Sequence, residues 1–193
     1  DMRRMGGLRE QMPVSATWFA IGALSLAGIP PLAGFFAKDQ IVGFAATSNV
    51  EAARRYGLQP SGTMAHSYIE SFTSEKEAFR TFARDFPNRT TFLVDTYDTL
   101  NGVRTAIEVI GELRLSDNLA IRLDSGDLDE LSRGARTLLD DAGLRHVRIF
   151  ASGGLDEVGL VRLVRGGAPI DAFGVGTRMG VSADAPSLDS AYK

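Results

Sequence analysis

The sequence changes character near Ile41. Before this point, residues 13–37 form an uncharged, strongly apolar run, which is longer than the roughly 20 residues that an α-helix needs to cross the hydrocarbon core of a membrane. After it, short apolar runs alternate with charged segments, and no apolar run of that length follows. We therefore predict two domains, a membrane-like segment over residues 1–41 and an α/β domain over residues 42–193.

Residues 13–37 favour a transmembrane helix over two other interpretations. Arginines precede the run, so the positive-inside rule would leave its N-terminus in the cytoplasm. The run is too long for the apolar part of a signal peptide. The proline pair at residues 30–31 disfavours a helix buried in a soluble domain, because proline breaks helical hydrogen bonds. We expect any membrane contact to be made through residues 13–37.

Composition excludes several classes of function. A net charge of −3 argues against a general nucleic-acid-binding surface. The absence of cysteine excludes disulfides, thiolate metal sites and a cysteine nucleophile. Only two histidines are present, His66 and His146, so a histidine-rich metal centre is not expected and we predict no protein metal site.

From residue 42 onward, strand-like and helical segments alternate. The predicted strands that end at Asp95, Asp124 and Ser152 are 29 and 28 residues apart, which is the length of one βα unit. This alternation predicts a parallel sheet with helical crossovers. A barrel and a large open sheet both fit the pattern, and we favour a partial (β/α) barrel. The predicted strands cover 58–63, 90–94, 119–123, 147–151 and 170–173, and the predicted helices cover 49–56, 74–85, 100–113, 128–142 and 155–164.

Glycine-rich loops follow the last two predicted strands. Glycine lets backbone N–H groups approach an anion closely, and late-strand loops are the usual phosphate site of (β/α) barrels. The alternative is that these glycines only form tight turns. The candidate phosphate-binding residues are Ser152, Gly153, Gly154, Gly174, Val175, Gly176 and Thr177.

Two carboxylates and an arginine surround the end of the third predicted strand. We expect Asp127 to cap the next helix and Asp124 to face a ligand, either a ribose hydroxyl pair or Mg²⁺ that carries phosphates. Arg122 would point from the strand into the barrel, where an unpaired guanidinium group is unfavourable. We therefore expect an anionic substrate to pair with it.

His66 follows a predicted strand, whereas His146 opens one at the opposite face. A lone histidine is more often structural than catalytic, and we interpret His146 as structural or surface-lying. Asp95 ends the strand after His66, so it is a candidate to orient the imidazole ring of His66.

Five motifs in this order, GTMAHS, LVDTYDT, RLDSGDL, ASGGLDE and GAPIDAFGVGT, resemble the nicotinate phosphoribosyltransferase family over about residues 42–193. The resemblance implies formation of nicotinate mononucleotide and pyrophosphate from nicotinate and phosphoribosyl pyrophosphate, driven by ATP hydrolysis, with Mg²⁺ accompanying the substrates. It also implies a cytoplasmic enzyme body with the irregular barrel of a type II phosphoribosyltransferase, a second domain and a homodimer.

The resemblance assigns roles to individual residues. It implies that ATP phosphorylates His66 and that Asp95 is the carboxylate near this histidine. The residues implied around the pyridine ring and the ribose are Arg122, Asp124, Ser125 and Thr63. The glycine-rich loops at 152–154 and 174–177 would hold the 5′-phosphate.

The N-terminal motifs MRRMGGLREQMP and GALSLAGIPPLAGFFAKDQI resemble an internal piece of the antiporter-like subunit of respiratory NADH-quinone oxidoreductase, of the subunit L type. In that family the lysine that corresponds to Lys38 lies in the proton path. A single span cannot form a two-sided proton channel, so we do not expect this chain to pump protons.

The phosphoribosyltransferase resemblance is partial, because it lacks the N-terminal region that supplies an aromatic partner for the pyridine ring. About five βα units are too few to close a barrel, so we expect an incomplete enzyme whose activity is low or absent. Two alternatives stay open, a membrane fragment of a proton-translocating oxidoreductase and another phosphate-binding (β/α)-barrel enzyme. A Schiff-base aldolase is disfavoured, because Lys76 and Lys193 fall on a predicted helix and at the terminus.

Overall fold

The computed structural model describes residues 45–176 and residue 178. The predicted apolar span and the domain boundary predicted after residue 41 lie outside these residues. The described residues fall into two compact units, of which one ends at Gly62 and the other begins at Thr63. Within the described part of the chain, no helix has the length and apolar character of a membrane span.

The first unit contains a short parallel strand pair around one helix. Strand β1 (Ala46–Thr47) pairs with β2 (Gln59–Pro60), and α1 (Val50–Tyr56) connects them. The helix is capped by Asn49, whose side chain accepts a hydrogen bond from the backbone N–H of Ala52 at 2.9 Å. The strand predicted over 58–63 shortens to two residues.

The second unit is an α/β domain with a four-stranded parallel sheet, as predicted. The strands lie in chain order, β3-β4-β5-β6, and a helix follows each of the first three. The strands are β3 (Thr91–Leu93), β4 (Ala120–Leu123), β5 (Arg148–Ala151) and β6 (Ala172–Phe173). The helices are α2 (His66–Glu70), α3 (Glu75–Asp85), α4 (Thr99–Leu113), α5 (Leu128–Asp141) and α6 (Glu157–Arg165).

The core of the second unit lies between the sheet and its helices. Helix α3 faces the core with an apolar side, on which Ala78, Phe79 and Ala83 are fully buried and Phe82 is partly buried. The ring of Phe79 packs on that of Phe92 in β3, with 5.1 Å between the centroids. Burying a side chain of this size contributes about 1.5–3 kcal/mol, so this contact is a principal link between helix and sheet.

Helix α4 starts unusually close to the end of β3. A Cβ atom added to Gly102, in the first turn of α4, would lie 2.1 Å from the carbonyl oxygen of Val94. Only glycine allows this approach, which holds the intervening loop, residues 95–98, in a compact conformation. That loop carries Asp95, so the packing of one glycine helps to place a candidate site residue.

Replacing Gly102 by alanine should therefore destabilise the protein by at least about 2 kcal/mol, because the added methyl group collides with backbone rather than with a movable side chain. Gly111 in the same helix is the matched control, since nothing lies within 4 Å of an added Cβ atom there. Gly111→Ala should stabilise the protein by up to about 1 kcal/mol through helix propensity. Urea unfolding of both variants checks this; equal effects would contradict the packing argument.

Candidate active site

The candidate site lies at the carboxyl ends of β3, β4 and β5, where parallel strands of an α/β sheet commonly present functional loops. Asp95 follows β3, Asp124 follows β4 and Ser152 follows β5. His66, the first residue of α2, joins them through side-chain contacts. The structure thus brings together four candidate residues that are distant in the sequence.

Arg122 is the centre of the hydrogen-bond network. Its Nε donates to Ser152 Oγ at 2.7 Å, its Nη1 to Thr63 Oγ1 at 2.7 Å and its Nη2 to Asp124 Oδ1 at 2.5 Å. The side chain is 22% exposed. Arg122 is therefore not unpaired, because three of its five N–H groups have partners in the protein and Asp124 is an anion among them. Pairing of the remaining donors with an anionic substrate stays a prediction.

Asp124 is held as an anion by these neighbours. Burial alone would raise its pKa, but hydrogen bonds from Ser152 and Arg122, together with the charges of Arg122 and His66, lower the pKa below its ordinary value. Ser152 Oγ donates to Asp124 Oδ1 at 2.5 Å. An ionised carboxylate can accept a hydrogen bond from a hydroxyl group or bind a divalent cation.

His66 is oriented by Thr96 and Asp124. Its Nδ1 lies 3.1 Å from Thr96 Oγ1, and its Nε2 lies 3.7 Å from Asp124 Oδ2. The expected orienting partner, Asp95, instead points across to the loop after β4, where its Oδ2 accepts from the backbone N–H of Asp124 at 2.9 Å and from Ser125 Oγ at 2.6 Å. Asp95 thus contacts the loop that carries Asp124, and Asp124 in turn faces His66.

Sequence reasoning missed Thr96, although the residue stands directly beside Asp95 in the motif VDTYDT. The signal in the sequence that could have identified Thr96 was a hydroxyl-bearing residue directly after the carboxylate that ends a strand. His146 is exposed near the start of β5, in agreement with the interpretation that it is not part of the site. Asp127 caps α5 as predicted, accepting from the backbone N–H groups of Asp129 and Glu130 at 3.0 and 3.3 Å.

The glycine-rich loops divide into packed and open positions. Gly153 has a φ of 92°, and a Cβ atom there would lie 1.7 Å from the carbonyl oxygen of Asp124. At Gly174 the same atom would lie 2.8 Å from Phe150 Cζ. Tight packing therefore explains these two glycines.

Gly154 and Gly176 have room for a ligand. At Gly154 the nearest atom to an added Cβ is Arg178 Nε at 3.8 Å, and at Gly176 nothing lies within 4 Å. Val175 is partly buried, and Thr177 lies outside the described residues. Ser152 is nearly buried and its hydroxyl group is engaged with Arg122 and Asp124.

A shallow cavity of about 270 Å³ lies elsewhere, between the first turns of α5 and α6. Asp127, Asp129 and Arg162 contribute to its lining, and none of the network around Arg122 does. We place the candidate site at the hydrogen-bonded network rather than at this cavity, because the network contains the converging polar groups that chemistry requires.

Residues 28–193 match the sequence model of the nicotinate phosphoribosyltransferase (NAPRTase) family. The chain belongs to this family. It is 55% identical over 154 residues to nicotinate phosphoribosyltransferase pncB2 of Mycobacterium tuberculosis, a match that covers 79% of this chain and 33% of the relative. The crystal structure of human nicotinic acid phosphoribosyltransferase superposes with a TM-score of 0.62 at 25% identity, covering 69% of this chain and 38% of the human protein.

The chain therefore spans about a third of the length of the phosphoribosyltransferases that it matches. The resemblance stated from the five motifs is confirmed, and so is the α/β fold with a parallel sheet. Within the described residues, no group of three or more histidine, aspartate or glutamate side chains is arranged to hold a metal ion.

The N-terminal part of the chain matches a different family. Residues 1–53 match the membrane antiporter family of NADH:quinone oxidoreductase and Mrp proteins, so the two family matches overlap over residues 28–53. Chain 5 of NAD(P)H-quinone oxidoreductase from Picosynechococcus is 59% identical over 49 residues, which is 25% of this chain and 7% of that protein. The resemblance to an antiporter-like subunit is confirmed, but the relative carries the name chain 5 rather than subunit L.

Replacing Arg122 by methionine should lower the free energy of unfolding by about 2–3 kcal/mol, because the Asp124 carboxylate and two hydroxyl groups lose their shared donor in a partly buried site. Arg104→Met is the control, since Arg104 is exposed and bonds only to Asn101 within its own helix. Its effect should be below about 0.5 kcal/mol. Urea denaturation measures both; similar losses would show that Arg122 does not organise the site.

Asp124 should also give the protein a measurable acid dependence. Because the pKa of Asp124 is lower in the folded protein than in the unfolded chain, its contribution to stability is present above about pH 4 and is lost as the pH falls through the folded pKa. Asp124→Asn should flatten the loss of stability below about pH 4, whereas Asp117→Asn, at an exposed position before β4, should leave it in place. Thermal unfolding between pH 2.5 and 7 makes the comparison.

Proposed function

We propose that this chain carries the phosphohistidine and ribose-binding part of a nicotinate phosphoribosyltransferase. The reaction joins nicotinate to phosphoribosyl pyrophosphate, forms nicotinate mononucleotide and pyrophosphate, and is coupled to ATP hydrolysis. The observation that carries the proposal is the contact of His66 with Thr96 and Asp124, within a network that spans the carboxyl ends of three parallel strands. Family membership supplies the reaction class.

His66 is the proposed nucleophile toward ATP. When Nδ1 is protonated, it donates a hydrogen bond to Thr96 Oγ1, and the lone pair of Nε2 is free to attack the γ-phosphorus atom of ATP. The new N–P bond forms as the bond to the β–γ bridging oxygen breaks, and ADP leaves with that electron pair. Asp124 faces Nε2 at 3.7 Å and stabilises the positive charge that develops on the imidazole ring.

Arg122 and Asp124 are proposed to bind the ribose side of the substrates. Because the guanidinium group is already bonded to Thr63, Asp124 and Ser152, its part is to hold the Asp124 carboxylate in a fixed orientation. The carboxylate would then accept from ribose hydroxyl groups or bind Mg²⁺ that arrives with ATP and phosphoribosyl pyrophosphate. Asp95 and Ser125 fix the backbone of the same loop.

The loops after β5 and β6 are the proposed site of the 5′-phosphate. The open space at Gly154 and Gly176 would let their backbone groups approach a phosphate, while Gly153 and Gly174 keep the loops packed against the sheet. A helix follows the first of these loops, and its N-terminal dipole favours an anion.

The remaining expectations form part of the same proposal. The chain-order sheet supports a (β/α) barrel built over residues 42–193, since consecutive strands of such barrels are neighbours. A homodimer and a cytoplasmic enzyme body are proposed from family membership. Membrane contact through residues 13–37 stays a prediction for a segment outside the described residues.

Incubating the protein with γ-labelled ATP and nicotinate should label His66, giving a phosphate that is lost in acid and stable in base. His66→Ala should abolish the label. His146→Ala should retain it, because His146 is exposed at the other end of the sheet. Thr96→Val should reduce the initial labelling rate about tenfold by releasing the imidazole ring.

Peptide mapping of the labelled protein locates the phosphate, and nicotinate mononucleotide formation is measured in the same samples. Label that persists in the His66→Ala variant would contradict the proposed role of His66. Absence of label from the unsubstituted protein would contradict the proposed function of this chain.

A further inference from the structure

The loop that follows β5 offers two backbone donors to a ligand. Gly153 and Gly154 are exposed, and their N–H groups donate to no atom of the residues that the structure describes. Exposed backbone N–H groups of this kind can bind an anion. The same loop contains Ser152, whose hydroxyl group connects it to Arg122 and Asp124. An anion held by this loop would therefore lie beside the candidate site.

The side chain of Arg178 lies over Gly154. Its Nε is 3.8 Å from the position that a Cβ atom would take at Gly154, and no other atom beyond the adjacent residues comes within 4 Å. Nη1 donates to Asp156 Oδ2 at 3.0 Å, and within the described residues it is the only nitrogen of this side chain with a hydrogen-bond partner. The side chain is 61% exposed, so a ligand can reach the remaining donors.

Asp156 places a negative charge close to this loop. Its Oδ1 caps α6 by accepting from the backbone N–H of Gly159 at 2.8 Å. This hydrogen bond, opposed by burial and reinforced by Arg178, lowers the pKa of Asp156, so the carboxylate is ionised at neutral pH. The charge of the carboxylate offsets the attraction of the helix dipole for a second anion. A phosphate at Gly154, two residues earlier, therefore needs a cation between itself and Asp156.

The guanidinium group of Arg178 occupies this position. Its Nε faces Gly154 and its Nη1 faces Asp156, so different edges of one planar group can pair with a phosphate and with the carboxylate. An ion pair with this exposure contributes little to stability, so a role in folding alone is a weak explanation of the arrangement.

We propose that Arg178 binds the 5′-phosphate of the ribosyl substrate, together with the backbone N–H groups of Gly153 and Gly154, and shields this phosphate from the carboxylate of Asp156. The identity of the substrate rests on the proposed function. Arg178 adds a cationic side chain to a phosphate site for which the sequence indicated only glycines, a valine and hydroxyl groups. Binding is noncovalent, and no bond forms or breaks.

Titration with ribose 5-phosphate tests the proposal without any reaction, and ribose is the unphosphorylated control ligand. In ¹⁵N NMR spectra of the unsubstituted protein, ribose 5-phosphate should shift the backbone amides of Gly153 and Gly154 and the Nε–H resonance of Arg178, whereas ribose should not. Arg178→Met should raise the Kd at least about tenfold, and Arg178→Lys, which keeps only the charge, about threefold. Arg165→Met removes an exposed arginine at the other end of α6 and should change the Kd less than about twofold.

A second substitution tests the shielding. Asp156→Asn keeps an oxygen that can cap α6 but removes the negative charge. It should lower the Kd for ribose 5-phosphate about threefold in the Arg178→Met background, where the carboxylate faces the phosphate directly. The gain should be smaller in the unsubstituted protein, because Arg178 already screens the carboxylate there. Urea unfolding of each variant verifies that the protein is folded.

A Kd of Arg178→Met within twofold of the unsubstituted value, or a Gly154 amide that ribose 5-phosphate does not shift, would overturn the proposal. Labelling of His66 by γ-labelled ATP, measured on the same preparations, separates this result from the proposed function. Binding that depends on Arg178 without any labelling would support the role of Arg178 and count against the proposed function alone. Labelling together with binding that is independent of Arg178 would overturn only the role of Arg178.

Discussion

The guanidinium group of Arg122 connects three segments that are far apart in the sequence. Its three nitrogen atoms reach Thr63, Asp124 and Ser152, so the segment before α2 and the ends of β4 and β5 share one donor group. The planar guanidinium group donates hydrogen bonds in fixed directions, so its three acceptors must occupy defined positions relative to one another. The placement of Asp124, and through it the contact with His66, depends on this arrangement.

Most secondary structure could be predicted, because the periodicity of apolar residues and the helix caps are local signals. The helix predicted over 100–113 is observed as Thr99–Leu113, and the positions of the site loops at strand ends follow from the βα alternation. The partners within the site could not be predicted in the same way. Whether Asp95 faces His66 or the loop after β4 depends on the orientation of side chains in neighbouring loops. No local sequence pattern encodes that orientation.

Acidic groups dominate a site that we propose binds polyanions. Asp95 and Asp124 follow neighbouring strands beside the one arginine of the network, Arg122, and three of the five N–H groups of Arg122 already bind the protein. Phosphate charge would then be balanced by backbone N–H groups and by divalent cations that accompany the substrates.

The chain order of the four strands has a consequence for how the second unit forms. Every strand pairs with the strand nearest to it in sequence, for example Ile121 with Ile149, so each pairing in this sheet closes a loop of only one βα unit. Closing a loop of one βα unit costs less conformational entropy than closing a loop of several units. During synthesis, each new βα unit can dock on the edge of the unit before it as it leaves the ribosome, and the loop network can be completed one neighbour at a time.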